Sequence, residues 1–130
     1  MNLLGIDWGK SKVGIALGSD ETRIASPIEI LTFKNVGDLK EQLGELINSE
    51  NIDQLVLGKP ISLSGESGVS EAYKKFVTLL EGFELPINFE DERLSTKYAA
   101  SLKKEFNNKK KVGDDDVAAA AILQTYLDRL

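Results

Sequence analysis

The chain contains no cysteine and no histidine, and only one tryptophan, one methionine and three prolines among its 130 residues. Without cysteine there is no disulfide, no thiolate nucleophile and no thiolate zinc site. Without histidine the commonest general base and transition-metal ligand are missing. Any chemistry then rests on carboxylates, lysines, hydroxyls or the backbone. The metals that suit such donors are hard cations that take oxygen ligands, magnesium first among them. No stretch of about 18 consecutive apolar residues occurs, so no membrane span is expected. The first 20 residues carry Asp7, Lys10 and Lys12 inside an apolar pattern and lack the basic head, apolar core and cleavage site of a secretory signal. A cytoplasmic location is expected. With 42% hydrophobic residues, the length fits one domain covering residues 1–130. The pattern GxxxxGK[ST] is absent, so the glycines form no Walker loop.

The formal charge is −5, which weighs against a nucleic-acid partner because phosphate contacts depend on lysine and arginine. Its distribution weighs the other way. Residues 97–112 carry Lys97, Lys103, Lys104, Lys109, Lys110 and Lys111 against Glu105 alone, a local charge of +5 beside −10 for the rest of the chain. Such a run fits a phosphate-binding arm or an ordinary solvated loop.

Along the chain, residues 2–7 (NLLGID) and 12–18 (KVGIALG) read as two strands joined by a short turn containing Gly9. PIEIL at 27–31 alternates like a third strand with one exposed face. Leu39, Leu43, Leu46 and Ile47 recur at helical spacing, with Asp38 and Glu41 in the pattern of a capping box, and predict a helix from Asp38 to about Glu50. QLVLG at 54–58 predicts a short buried strand, followed by the loop KPISLSGESG. Tyr73, Phe76, Val77 and Leu80 place an apolar stripe on a second helix ended by Gly82. INFED after Pro86 predicts a fifth strand. Ser95 or Thr96 caps a third helix bearing Ala99, Leu102 and Phe106, and DDDVAAAAILQTYLDRL restarts as a final helix. Three strands in a meander followed by alternating helices and strands give an α/β fold with a mixed sheet covered by helices on both faces.

Ligands of such sheets gather beyond the carboxyl ends of the central strands. Asp7 ends the first strand, Glu92 follows the fifth, and Asp114, Asp115 and Asp116 open the last helix. If the first strand is central, acids from three elements converge on one rim. Magnesium ions held there would activate water and steady the leaving oxygen of a phosphodiester without histidine. Local explanations compete: Asp7 as a turn former, the three aspartates as helix cap, Asp91 and Glu92 as loop acids with Arg93 as their ion-pair partner. Trp8 is read as a packing residue or an exposed ring rather than a base-stacking platform.

Together, GIDWGKSKVGIALGSD, LVLGKPISLSGESG, DERLST and DDDVAAAAILQTYL resemble, in order and spacing, the signature regions of the YqgF/RuvX family, whose members are described as Holliday junction resolvases and as pre-16S ribosomal RNA nucleases. The resemblance implies a ribonuclease H-like fold: a five-stranded mixed sheet, its first three strands antiparallel, flanked by helices on both faces. It implies hydrolysis of phosphodiester bonds with magnesium, or manganese in its place, during 5′-end processing of 16S rRNA. A junction-resolving DNA endonuclease and a non-catalytic, ribosome-associated RNA-binding factor are the alternatives. It maps the metal-binding and catalytic acids onto Asp7, Glu92 and Asp115. Lys10, Lys12, Lys59, Arg93, Lys97, Lys103, Lys104, Lys109, Lys110 and Lys111 are the candidate phosphate contacts, and a structured precursor rRNA is the expected partner of a monomer or dimer. One departure stands out. Resolvases of the related RuvC type place an acid near the end of the fourth strand, where this chain has Gly58, Lys59 and Pro60.

Overall fold

A computed structural model describes residues 1–9, 11–59, 70–91 and 114–130, with the side chains of Asp114, Asp115 and Asp116 excepted. The elements are β1 (Asn2–Trp8), β2 (Lys12–Ser19), β3 (Ser26–Thr32), α1 (Val36–Ser49), β4 (Gln54–Lys59), α2 (Glu71–Glu81), β5 (Ile87–Asp91) and α3 (Asp114–Asp128). The helix expected after Ser95 lies outside the described residues. The strands form one sheet in the order β3-β2-β1-β4-β5. β1, β2 and β3 pair antiparallel, while β4 joins β1, and β5 joins β4, in parallel. The mixed sheet with β1 at its centre is the arrangement expected from the sequence.

Side-chain alternation divides the sheet into two faces. Leu4, Ile6, Val13, Ile15, Leu31, Leu55 and Leu57 point to one side and form a core with Leu39 and Leu43 of α1 and Tyr73, Phe76, Leu79 and Leu80 of α2. Leu3, Ala16 and Val56 point to the other and pack on Ala119, Ala120, Ile122, Leu123 and Leu127 of α3. Helix α3 sits very close to the sheet. A Cβ added at Gly5 would lie 2.7 Å from Leu123 Cβ and 2.9 Å from the Ala119 carbonyl oxygen. One added at Gly18 would lie 3.0 Å from both Leu123 and Leu127. The glycines are there because nothing larger fits. Buried Gln124 fixes the helix along its other flank: its Oε1 accepts from the Ala25 N–H at 2.9 Å and its Nε2 donates to the Arg23 carbonyl at 2.8 Å.

One local expectation needs correction. The cap of α1 is Asn35, whose Oδ1 accepts from the Asp38 N–H at 2.8 Å, while Asp38 Oδ2 accepts from the Lys34 N–H at 3.0 Å. Asp38 therefore closes the reciprocal cap rather than opening it, and Glu41 falls one position into the next turn. Gly82 does end α2, but with φ −64°, so its N–H bond to the Leu79 carbonyl matters there and left-handed freedom does not.

Candidate nuclease site at the carboxyl rim of the sheet

β1, β4 and β5 end at the same rim. Asp7 pairs with Gly14 of β2, and one residue beyond the Ile6–Leu57 pair it stands beside Gly58, which pairs with Glu90. Gly14, Asp7, Gly58 and Glu90 thus form one cross-strand row. Asp7 alternates with Leu3 and Gly5, so it belongs to the α3 face. The contacts at Gly18 and Gly5 show which way α3 runs: Leu127 and Leu123 lie over Gly18, the partner of Leu3, and Leu123 and Ala119 lie over Gly5. The helix travels back along β1. From Ala119 to Asp115 is about 6 Å of helix, and from Gly5 to Asp7 is about 6.7 Å of strand. The backbone at Asp115 is therefore brought to the level of Asp7, one helical turn before Ala119.

Of the expected acids, Asp7 is half-buried at the rim, and Asp115 is placed by its backbone at the start of α3. Glu92 follows the last residue of β5 and lies outside the described residues, as do Lys10, Arg93, Lys97, Lys103, Lys104, Lys109, Lys110 and Lys111. Among the described residues no group of three acids gathers around a common point. Lys12 and Lys59 are both exposed at the rim but on opposite faces: Lys12 alternates with Gly14 and Ala16 toward α3, Lys59 with Leu57 and Leu55 toward α1 and α2. The end of β4 is fixed by Tyr73, whose buried hydroxyl donates to the Gly58 carbonyl at 3.0 Å. The same ring packs T-shaped with Trp8, with centroids 5.6 Å apart and planes at 81°. Trp8 is thus a packing residue on one side, as expected.

One acid was missed in the sequence. In β5, Phe89 is 46% exposed and Glu90 only 1%. Edge strand β5 is covered at this point on the α3 side, where Arg129 Nη2 donates to Glu90 Oε2 at 2.6 Å. Among the described residues, buried Glu90 Oε1 finds no hydrogen-bond partner. Loss of water raises the Glu90 carboxyl above its ordinary range, nearby Arg129 opposes that shift and Asp91 adds to it. The available signal was the arginine near the chain end, the one cation in the last helical stretch.

The RuvX family, described as Holliday junction resolvase, matches residues 1–129. The chain belongs to the RuvX family. A Rickettsia akari protein named "Putative pre-16S rRNA nuclease" is 37% identical over 135 residues, covering 98% of this chain and 86% of that protein. The RuvX fold seen here resembles RuvC of T. thermophilus, solved with a Holliday junction substrate, at a TM-score of 0.68 with 14% identity, covering 99% of this chain and 95% of that one. The fowlpox virus Holliday junction resolvase gives 0.66 with 14% identity over the whole of both chains. At that identity the structural likeness speaks for the ribonuclease H-like fold, in agreement with the sheet order expected for a RuvX member.

Proposed function

We propose that this RuvX chain is a magnesium-dependent phosphodiester hydrolase acting on the 5′ region of precursor 16S rRNA as a single catalytic domain. The observation that carries the reading is the convergence at one rim of Asp7, at the carboxyl end of the central strand, with the first turn of α3, which brings the backbone of Asp115 to its level. Glu92, next after β5, completes the set; β5 stands two strands from β1, about 9.6 Å, a gap that an aspartate and a glutamate reaching toward each other can close around ions.

The donors suit the metal. They are carboxylate oxygens in a chain without histidine or cysteine, and hard divalent ions take such ligands while keeping positions for water and phosphate. Asp7, Glu92 and Asp115 would hold the ions, which when bound lower the pKa of the attacking water and stabilise the departing oxygen. Lys12 at the same rim, with Lys10, Lys59, Arg93, Lys97 and the lysines of 103–111, would position backbone phosphates. Contacts of that kind hold a strand in place without reading its sequence.

The test is cleavage of a precursor 16S fragment with Mg²⁺ or Mn²⁺ by the wild type, Asp7→Asn and Asp115→Asn. Loss of a metal-binding acid should slow cleavage at least about 100-fold, since even outer-shell changes cost 10–100-fold. Equal activity in all three would refute the site, and intact RNA throughout would favour a binding factor without catalysis. A second reading, DNA junction resolution, is favoured by the family description. It needs two sites in a symmetric dimer. Competition between a four-way DNA junction and the precursor RNA at matched salt decides between the two.

A further inference from the structure

On the face of the sheet opposite Asp7, the rim opens into an apolar crevice of about 150 Å³ lined by Trp8, Phe33, Leu39, Lys75, Phe76 and Leu79, among others. Its position follows from the topology. β3 runs parallel to β1, so Phe33, just past the end of β3, and Trp8, the last residue of β1, stand at the same rim. α1 and α2 both start there, and their first turns form the walls. An apolar cavity of about 150 Å³ accepts one benzene-sized ring, so this open crevice suits a single planar heterocycle.

Its rim carries charges of both signs. Lys75 is part of the wall, Lys34 follows Phe33, and Lys59 ends β4 on this face beside its cross-strand partner Asp91. At the helix starts, Asp38 accepts from the Lys34 backbone N–H at 3.0 Å and Glu71 lies 3.5 Å from Lys74, which leaves Lys75 as the charged group of the wall itself. Aromatic walls with a lysine among them are what a base needs when its phosphate lies outside. The backbone links this crevice to the proposed chemistry, because Trp8 and Asp7 are consecutive, about 3.8 Å apart at Cα, with side chains on opposite faces.

We propose that the crevice between the starts of α1 and α2 receives an unpaired nucleobase of the strand whose phosphate lies at Asp7, with Trp8, Phe33 and Phe76 as its apolar walls and Lys75 on its phosphate. This rests on the reading of the chain as a nuclease and adds a requirement: the nucleotide beside the cut must be unstacked. Trp8 then has two roles, one edge packed on Tyr73 and another part lining the base site.

Trp8 is the sole tryptophan, so its fluorescence reports on the crevice directly. Full-length Asp7→Asn in EDTA is titrated with a single-stranded RNA of about ten nucleotides and with an abasic strand of the same length. The base-bearing strand should quench Trp8 and bind about 10-fold more tightly than the abasic one. Phe33→Leu, which keeps the apolar bulk and removes the ring, should erase that preference without weakening the abasic strand. Exposed Lys75→Ala should weaken both. Equal binding of the two strands without quenching, or an unchanged preference in Phe33→Leu, overturns the proposal. So does a concentration-dependent dimer that Val36→Asp dissolves, which would assign the crevice to a second copy. Wild-type cleavage with Mg²⁺ is measured in parallel: cleavage without a base effect sinks the crevice and spares the nuclease, whereas a base effect without cleavage does the reverse.

Discussion

Replacing Gly5 with alanine tests the contact on which the site depends. The new methyl carbon would be built 2.7 Å from Leu123 Cβ and 2.9 Å from the Ala119 carbonyl, neither of which is the mobile end of a side chain. Relief requires α3 to lift from the sheet or slide along it. Overpacking of this kind costs about 1–3 kcal/mol, and the gain from removing a glycine within a strand returns about 0.5–1 kcal/mol, leaving a net loss of about 0–2.5 kcal/mol with its midpoint at about 1.3 kcal/mol. With an unfolding entropy of about 2.1 cal/mol/K per residue, a 130-residue chain has about 0.27 kcal/mol/K, so the midpoint corresponds to a fall of about 5 °C in Tm. The control is Gly44→Ala in α1, where the nearest atom would be Phe83 Cε1 at 3.5 Å, an ordinary contact. There the helix gains about 0.5–1 kcal/mol and Tm should rise. Both are read by thermal and guanidinium denaturation. Because displacement of α3 carries Asp115 away from Asp7, Gly5→Ala should also lose activity at temperatures where it is fully folded. A Gly5→Ala protein that melts above wild type, as Gly44→Ala should, would show that the helix does not rest on β1 as described, and the argument for Asp115 would fall with it.

The lysine run and the buried glutamate give two more expectations. If Lys109, Lys110 and Lys111 each neutralise one phosphate of a single strand, replacing all three with alanine should lower the slope of log K against log[salt] by about 2, and an unchanged slope would mean that the run is solvated. For Glu90 the sign follows from its raised pKa. The native state holds the proton more tightly than the unfolded chain, so the stability Glu90 contributes is full below the ordinary value of 4.5 and is lost as pH rises through the native value. Glu90→Gln cannot titrate, so its stability relative to wild type should improve between pH 4.5 and pH 8 in metal-free buffer, and parallel pH profiles would refute this.

What the sequence revealed and what it hid follow from the range of the forces involved. The strands and the first two helices were legible because burial imposes a period, and the sheet order followed from connections that allow few alternatives. Asp7 could be singled out because a charge at the end of an apolar element needs a reason, whereas Asp115 was selected among three adjacent aspartates only by resemblance to the family's last-helix pattern, since residues 117–123 are apolar all round. The Asn35 cap was missed because Asp38 offers an equally good local pattern one turn later, and only the Asp38 N–H bond to Asn35 decides between them. The burial of Glu90 was hidden for a different reason. Its cover, Arg129, is 39 residues away, and the alternation of β5 gives the face of Glu90 but not what covers it. The crevice was invisible for the same cause: Phe33, Phe76 and Trp8 come from three elements, and nothing local to Trp8 distinguishes a packed ring from one that also lines an opening.

The sheet's pleat then explains why acid and aromatic chemistry share one rim without interfering. Consecutive residues Asp7 and Trp8 face opposite sides, so Asp7 lies on the α3 side of the rim while Trp8 joins the aromatic walls between α1 and α2. A strand passing over the rim meets carboxylates on one side and an apolar slot on the other, separated by one backbone width. This division depends on the register of β1. A slip of one residue would send Trp8 toward α3, where Gly5 and Gly18 already admit no added bulk, and would turn Asp7 into the apolar core. The close packing of Ala119 and Leu123 on Gly5 therefore excludes the slipped register. It also fixes which side of the rim carries the charge.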